Sequence, residues 1–193
     1  MSVTSAKSGA TGISLALDNN YMEPIATTVV GSTAVNSITF NDIPQGYKHL
    51  QLRMFGRTTR TSGNDGTNLR FNGDASASYS EHELKGSGTA VSVYGYASDV
   101  SAVHSVFATD GGYSASIFGA IVLDILDYSN TNKYKTVRSL GGADNNGTGT
   151  VGGVYFDSSC WQNLTPITSI YINSPTGSNF VQYSRFSLYG IKG

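Results

Sequence analysis

Apolar and polar positions along this chain alternate in short extended runs, separated by turn residues. Tyr47 to Phe55 shows the alternation most cleanly: Leu50, Leu52 and Met54 fall on one face, and His49, Gln51 and Arg53 on the other. A period of two is the mark of a half-buried strand. Just before it, Asp42 to Tyr47 reads as a turn, because Pro44 presets φ and Gly46 is permissive. Ile25 to Val30 and Ser37 to Phe40 read as a first strand pair around Gly31, Ser32 and Thr33.

Further runs continue at short intervals. Thr58 to Gly66 reads as a polar loop, followed by a strand at Asn68 to Phe71 ending in Asn72 and Gly73. Tyr79 to Leu84 and Val91 to Tyr96 form a pair around Gly86, Ser87 and Gly88, and Val103 to Ala108 is a weaker candidate. Ala115 to Leu126 is apolar on both faces for much of its length, which predicts a central strand covered on each side. Lys133 to Ser139, Val154 to Asp157 and Ser169 to Asn173 follow, with a glycine-rich loop over Gly141 to Gly153 and a short helical turn around Ser158 to Leu164. About eleven strands without a helical period predict an all-β fold, an antiparallel β-sandwich of jelly-roll-like form.

The two ends of the chain read differently. Phe180 to Ile191 looks like one long closing strand rich in aromatic and β-branched residues, committed to the core. Ser2 to Asn20 is small, polar and glycine-spaced, with one apolar clip at Ile13, Leu15 and Leu17. It reads either as a frayed terminus or as an extended N-terminal arm that orders against a neighbouring subunit; the arm is the reading taken here. The expected organisation is therefore an arm over 1–20 and one sandwich domain over 21–193, with Ile13, Leu15 and Leu17 as the arm's partner-binding anchors.

Charge narrows the functional classes. Of the 193 residues only 13% are charged, the formal net charge is -1, and there are 12 tyrosines and 23 glycines. With no field of one sign to gather phosphates, a nucleic-acid partner loses its main source of affinity. The N-terminal residues lack the charged start and apolar core of a signal peptide, and no stretch is long enough for an apolar membrane helix, so neither export nor a membrane partner is expected. A single cysteine, Cys160, cannot form an internal disulfide and reads as a semi-buried thiol beside Trp161.

A search for catalytic or ligand-binding chemistry returns little. Glu81 and Glu83 share one strand face while His82 points to the other, so the triplet cannot converge on a metal ion without a bulge. The glycine-rich run at Gly141 to Gly149 lacks the lysine of a phosphate loop, and the Asp144 to Asn146 loop does not match calcium-loop spacing, which leaves cation binding there open. Tyr94, Tyr96, Tyr113, Tyr128 and Tyr134 are candidates for exposed rings that stack on sugars or fill a subunit interface; packing at strand ends is the plainer account of most of them. No catalytic residue, cofactor or metal site is assigned, and the protein is not expected to be an enzyme.

Several segments, in order, carry a resemblance. They are Met22 to Gly31 (MEPIATTVVG), Phe40 to Tyr47 (FNDIPQGY), His49 to Arg53, Arg57 to Arg60 (RTTR), Leu69 to Asp74 (LRFNGD), Ile170 to Ile172, Asn179 to Ser184 (NFVQYS) and Phe186 to Ile191 (FSLYGI). Together they resemble small virion proteins of tailed bacteriophages, especially marine and cyanobacterial phages. The resemblance implies a β-sandwich or jelly roll at the particle surface, made in the host cytoplasm, and transfers no catalytic residue. The expected function is capsid decoration: a cement protein, as a homotrimer, binding the major capsid protein and copies of itself and stabilising the assembled shell. The alternative is a tail-fibre or receptor-binding tip protein, attached to other tail proteins and contacting host surface glycan. A glycan-cleaving depolymerase is a third class, and it would need clustered carboxylates.

Overall fold

The computed structural model of the chain describes residues 21–61, 63–88, 90–99, 113–144 and 152–193, and residues 106–109 by their backbone. The proposed arm, with Ile13, Leu15 and Leu17, lies outside the described residues. The strands are β1 (Met22–Val29), β2 (Ser37–Phe40), β3 (His49–Thr58), β4 (Asp65–Gly66), β5 (Asn68–Phe71), β6 (Tyr79–Gly86), β7 (Val91–Asp99), β8 (Val106–Thr109), β9 (Gly119–Leu126), β10 (Lys135–Ala143), β11 (Gly153–Trp161), β12 (Ile170–Asn173) and β13 (Arg185–Ile191). No helix occurs among the described residues.

The fold is an all-β antiparallel sandwich. The large sheet runs β1-β13-β3-β9-β10-β11-β6-β7 and the small sheet β2-β12-β5, while β8 lies parallel to the end of β3 and pairs with β4. Strands alternate between the sheets from β1 to β2 to β3 and again from β12 to β13, and the first strand lies beside the last. That wrapping is jelly-roll-like. One departure shapes the molecule: β6, which follows β5, pairs with β11 instead of joining the small sheet, so β10, β11, β6 and β7 extend the large sheet sideways.

Alternation fills the space between the sheets. Leu50, Leu52 and Met54 of β3, Ile121, Leu123 and Ile125 of β9, and Phe186 and Leu188 of β13 meet Ile38, Phe40, Leu69, Phe71, Ile170 and Ile172 of the small sheet, all buried. At the β6–β11 end Trp161, Tyr79 and Phe71 form an aromatic cluster, with the Tyr79 and Trp161 rings stacked at 6.3 Å. Two charged groups that enter this interior are met by several partners each. Buried Asp65 accepts from Thr58 Oγ1 at 2.7 Å and from Ser174 Oγ at 2.9 Å, which pins β3 to the segment after β12. Lys135, fully buried, donates to the carbonyls of Asn130, Lys133, Asn163 and Leu164, and its burial lowers its pKa.

Five expectations need correction. Ile25 to Val30 and Ser37 to Phe40 do not pair: β1 joins β13 and β2 joins β12, because the chain crosses between sheets. The closing strand starts at Arg185, not Phe180. Tyr183 turns with φ 71°, and this folds buried Phe180 edge-on against Phe186 at 4.8 Å. The apolar run at Ala115 to Leu126 becomes strand only from Gly119, and it is covered on one face, since Val122 remains 44% exposed. Gly141 to Gly153 is not all loop: Gly141 to Ala143 complete β10 and Gly153 opens β11. Nor does Ser158 to Leu164 begin as a helical turn, because β11 continues in register with β10 and β6 to Trp161.

Candidate binding surface

The sideways extension leaves two faces with different chemistry. On the outer face one cross-strand row passes from β9 to β7. Val122 lies opposite Leu140, Leu140 opposite Phe156, Phe156 opposite Leu84, and Leu84 opposite Val93. Each is between 44% and 72% exposed. Apolar residues scattered singly are ordinary on a surface, but five in one row across five strands form a contiguous patch.

The next row over alternates bulk with glycine: Phe55, Ala120, Gly142, Val154, Gly86 and Val91. Phe55 stacks on Phe118 with ring centroids 4.9 Å apart. Because Gly142 and Gly86 carry no side chain, the sheet sinks between Phe118, Leu140 and Val154 into a depression of about 740 Å³. A Cβ on Gly142 would lie 2.3 Å from the Gly153 carbonyl oxygen, so the close approach of β10 to β11 requires glycine there. On the opposite flank a polar row runs through Gln51, Asp124, Arg138, Ser158 and His82. Gln51 donates to Asp124 at 2.9 Å and Arg138 lies 3.4 Å from the same carboxylate, which neutralises the row internally.

The inner face of the extension changes character along the strands. Next to the aromatic pair Trp161 and Tyr79 stand Ser159 opposite Glu81, then Asp157 opposite Glu83, then Tyr155 opposite Lys85. Asp157 is fully buried and Glu81 is 1% exposed, and ligand oxygens of Glu81, Glu83 and Asp157 lie within 4.8 Å of one another. Ser139 Oγ donates to Asp157 Oδ2 at 2.7 Å, and the Lys85 ammonium lies over the Tyr155 ring at 5.3 Å.

Other residues singled out in the sequence are dispersed. Glu81 and Glu83 do share a face with His82 on the other, but β11 brings Asp157 to them, a convergence that strand spacing within β6 alone does not reveal. Tyr94, Tyr96 and Tyr134 are exposed, whereas Tyr113 and Tyr128 are buried. Tyr128 donates to the Pro44 carbonyl, and Tyr113 donates to Asn64 Oδ1 at 2.6 Å; burial raises both phenols, that of Tyr113 to about 12. These two are packing residues and do not contribute to a sugar-binding face. Cys160 is half-buried and desolvation raises its pKa, the environment of an inert thiol. Positions 145 and 146 of the Asp144 to Asn146 loop lie outside the described residues, as does His104. No model of a known protein family, no curated protein and no solved structure matches the chain.

Proposed function

We propose that the protein is a structural component of a tailed-bacteriophage particle, a decoration protein that seats on the major capsid protein of the assembled shell. The observation that carries this reading is the outer-face row Val122, Leu140, Phe156, Leu84 and Val93, an apolar patch that crosses five strands. A patch of this kind serves protein contact, with no need of reactive groups. With a net charge of -1 and a flanking row neutralised by Asp124 and Arg138, recognition rests on shape and apolar burial more than on steering by charge. A subunit that binds the finished shell and not its free protomers stabilises the shell by mass action. The segment resemblance supplies the virion setting, and trimeric self-association belongs to the same proposal.

The test is co-sedimentation of the purified chain with emptied capsids and with unassembled capsid protein. Binding to shells alone, at hundreds of copies per particle, that survives raised salt and is lost in Leu140→Lys and Phe156→Lys, is the expected result. A copy number of roughly 6–18, as closed tail symmetry dictates, would favour the tail-tip reading. Absence from both capsid and tail would overturn the virion assignment.

A further inference from the structure

We propose that the open edge of β7 takes the Ile13 to Leu17 segment of a second copy of this chain as an added strand. The contact rests on the self-association proposed above but not on the capsid. The large sheet ends in two edges of opposite character. β1 carries Pro24 and a register shift between Pro24 and Ala26, devices that keep an edge from pairing further. β7 has neither proline nor charge from Val91 to Ala97, and its register shift, opposite Tyr79 and Ser80, lies past that stretch. Among the described residues it pairs with β6 alone, and Val91 is 75% exposed and Val93 72%.

Backbone direction makes that edge available. Ser87 N donates to the Ala90 carbonyl at 3.0 Å where β6 turns into β7. Hydrogen-bonded and non-bonded pairs alternate along an antiparallel ladder, so Ser92 and Tyr94 face Lys85 and Glu83 with their backbone groups. Val91, Val93 and Gly95 therefore turn N–H and C=O away from β6. Their side-chain face is the outer one, where Leu84 lies opposite Val93 and Gly86 opposite Val91. A strand added here satisfies those backbone groups and lengthens the apolar row by one strand.

Pattern, charge and reach select the occupant. Ile13, Leu15 and Leu17 repeat at a period of two with Ser14 and Ala16 between them, and Ser8 to Leu17 carries no charge. As a strand, that segment sets its apolar side chains beside Val91 and Val93 on the outer face and its small ones on the other. It cannot serve its own β7. Tyr21 is tied down at the opposite edge of the sheet, where its carbonyl accepts from Lys192 N at 3.0 Å. Seven strand spacings separate β1 from β7, roughly 34 Å along the sheet at about 4.8 Å each. The four residues from Leu17 to Tyr21 span at most about 14 Å. The acceptor therefore belongs to another copy. Each copy gives a segment and takes one, a head-to-tail contact of the kind that builds a closed ring.

Sedimentation velocity of the full chain without capsids, paired with amide hydrogen exchange, tests the contact. The expected result is a closed oligomer in which the Val91, Val93 and Gly95 amides exchange at least about tenfold more slowly than in the dilute monomer. The full chain carrying both Leu15→Asp and Leu17→Asp should associate at least about tenfold more weakly, with fast exchange at β7 and the unfolding midpoint of the dilute monomer. Val93→Pro removes an outward N–H that β6 does not use, and should likewise yield monomer. Leu140→Lys, three strands in from the edge, should lose shell binding and keep the oligomer, so failure of the capsid reading and failure of this contact are told apart. A monomer at every concentration would overturn the proposal, and so would β7 amides that exchange equally fast in oligomer and monomer. An oligomer that survives the two aspartates with β7 still slow would overturn it too, making a second β7 the occupant.

Discussion

Trp161 Nε1 donates a 2.7 Å hydrogen bond to Asp74 Oδ2, joining the end of β11 to the turn that follows β5. Asp74 also accepts from Ser76 and Ser78, so one carboxylate organises the turn and anchors the largest side chain of the core. Asp74→Ala strands the buried indole N–H and releases the turn, and is expected to cost about 2–3 kcal/mol. Trp161→Phe removes one donor while Ser76 and Ser78 remain, and should cost about 1–2 kcal/mol. Urea unfolding followed by far-ultraviolet dichroism measures both, since the Trp161 fluorescence reporter is lost in the second variant. Lower midpoints with unchanged slopes are the expected signature.

Two carboxylates make the fold sensitive to acid. Burial by itself would raise the Asp74 pKa, but hydrogen bonds from Ser76, Trp161 and Ser78 outweigh it and hold the group well below the usual carboxylate range. Asp127 is lowered to about 2 by hydrogen bonds from Lys133 and Lys48. For a carboxylate with a depressed folded pKa, the stabilisation is fully present above the unfolded value, here 3.8, and is lost as pH falls through the folded value. The urea midpoint of Asp127→Asn should therefore lie below wild type at pH 5 and converge on it by about pH 2. Because both lysines are half exposed, added salt should shrink the difference at pH 5. A gap between the two proteins that is constant from pH 5 to pH 2 would contradict this account.

Gly190 shows a glycine retained for space. Its φ is not positive, yet a Cβ there would lie 2.3 Å from the Tyr47 ring, which covers this point of β13 opposite Leu50. Tyr47 is held by its hydroxyl, which donates to Glu23 Oε2 at 3.0 Å. Gly190→Ala must displace the ring and is expected to cost about 1–3 kcal/mol. Removing the ring first should remove most of that cost: a double-mutant cycle with Tyr47→Ala should give a coupling energy of at least about 1 kcal/mol. Additive effects would mean that the clash is relieved elsewhere.

What could be read from the chain follows from the range of the interactions. Alternation is local, so the faces of β3 were legible from Leu50, Leu52 and Met54, and so was the all-β class. The turn at Tyr183 was not, because it exists to bring Phe180 against Phe186, a tertiary contact that outweighs the strand propensity of the segment. The strands through Gly141 and Gly153 were hidden for a related reason. Glycine signals a loop in sequence, but here it permits two backbones to approach. The candidate surface was not visible, since it depends on register: Phe156 meets Leu84 only once β11 is known to pair with β6.

Adjacent residues Ile121 and Val122 separate the two roles of a single strand. Ile121 is 1% exposed within the sandwich and Val122 points outward into the apolar row. Ile121→Ala should cost about 2–4 kcal/mol through lost burial and the cavity it leaves. Val122→Lys should shift stability by no more than about 0.5 kcal/mol, because a lysine at a half-exposed position keeps its charge in water. The same charge set into the row Leu140, Phe156 and Leu84 would have to be desolvated in any apolar contact, so Val122→Lys should weaken shell binding at least tenfold while the fold is kept. Equal unfolding midpoints and equal shell binding for Val122→Lys and wild type would remove the outer face from the binding surface. A loss of stability as large as that of Ile121→Ala would mean instead that this face is covered within the protein itself.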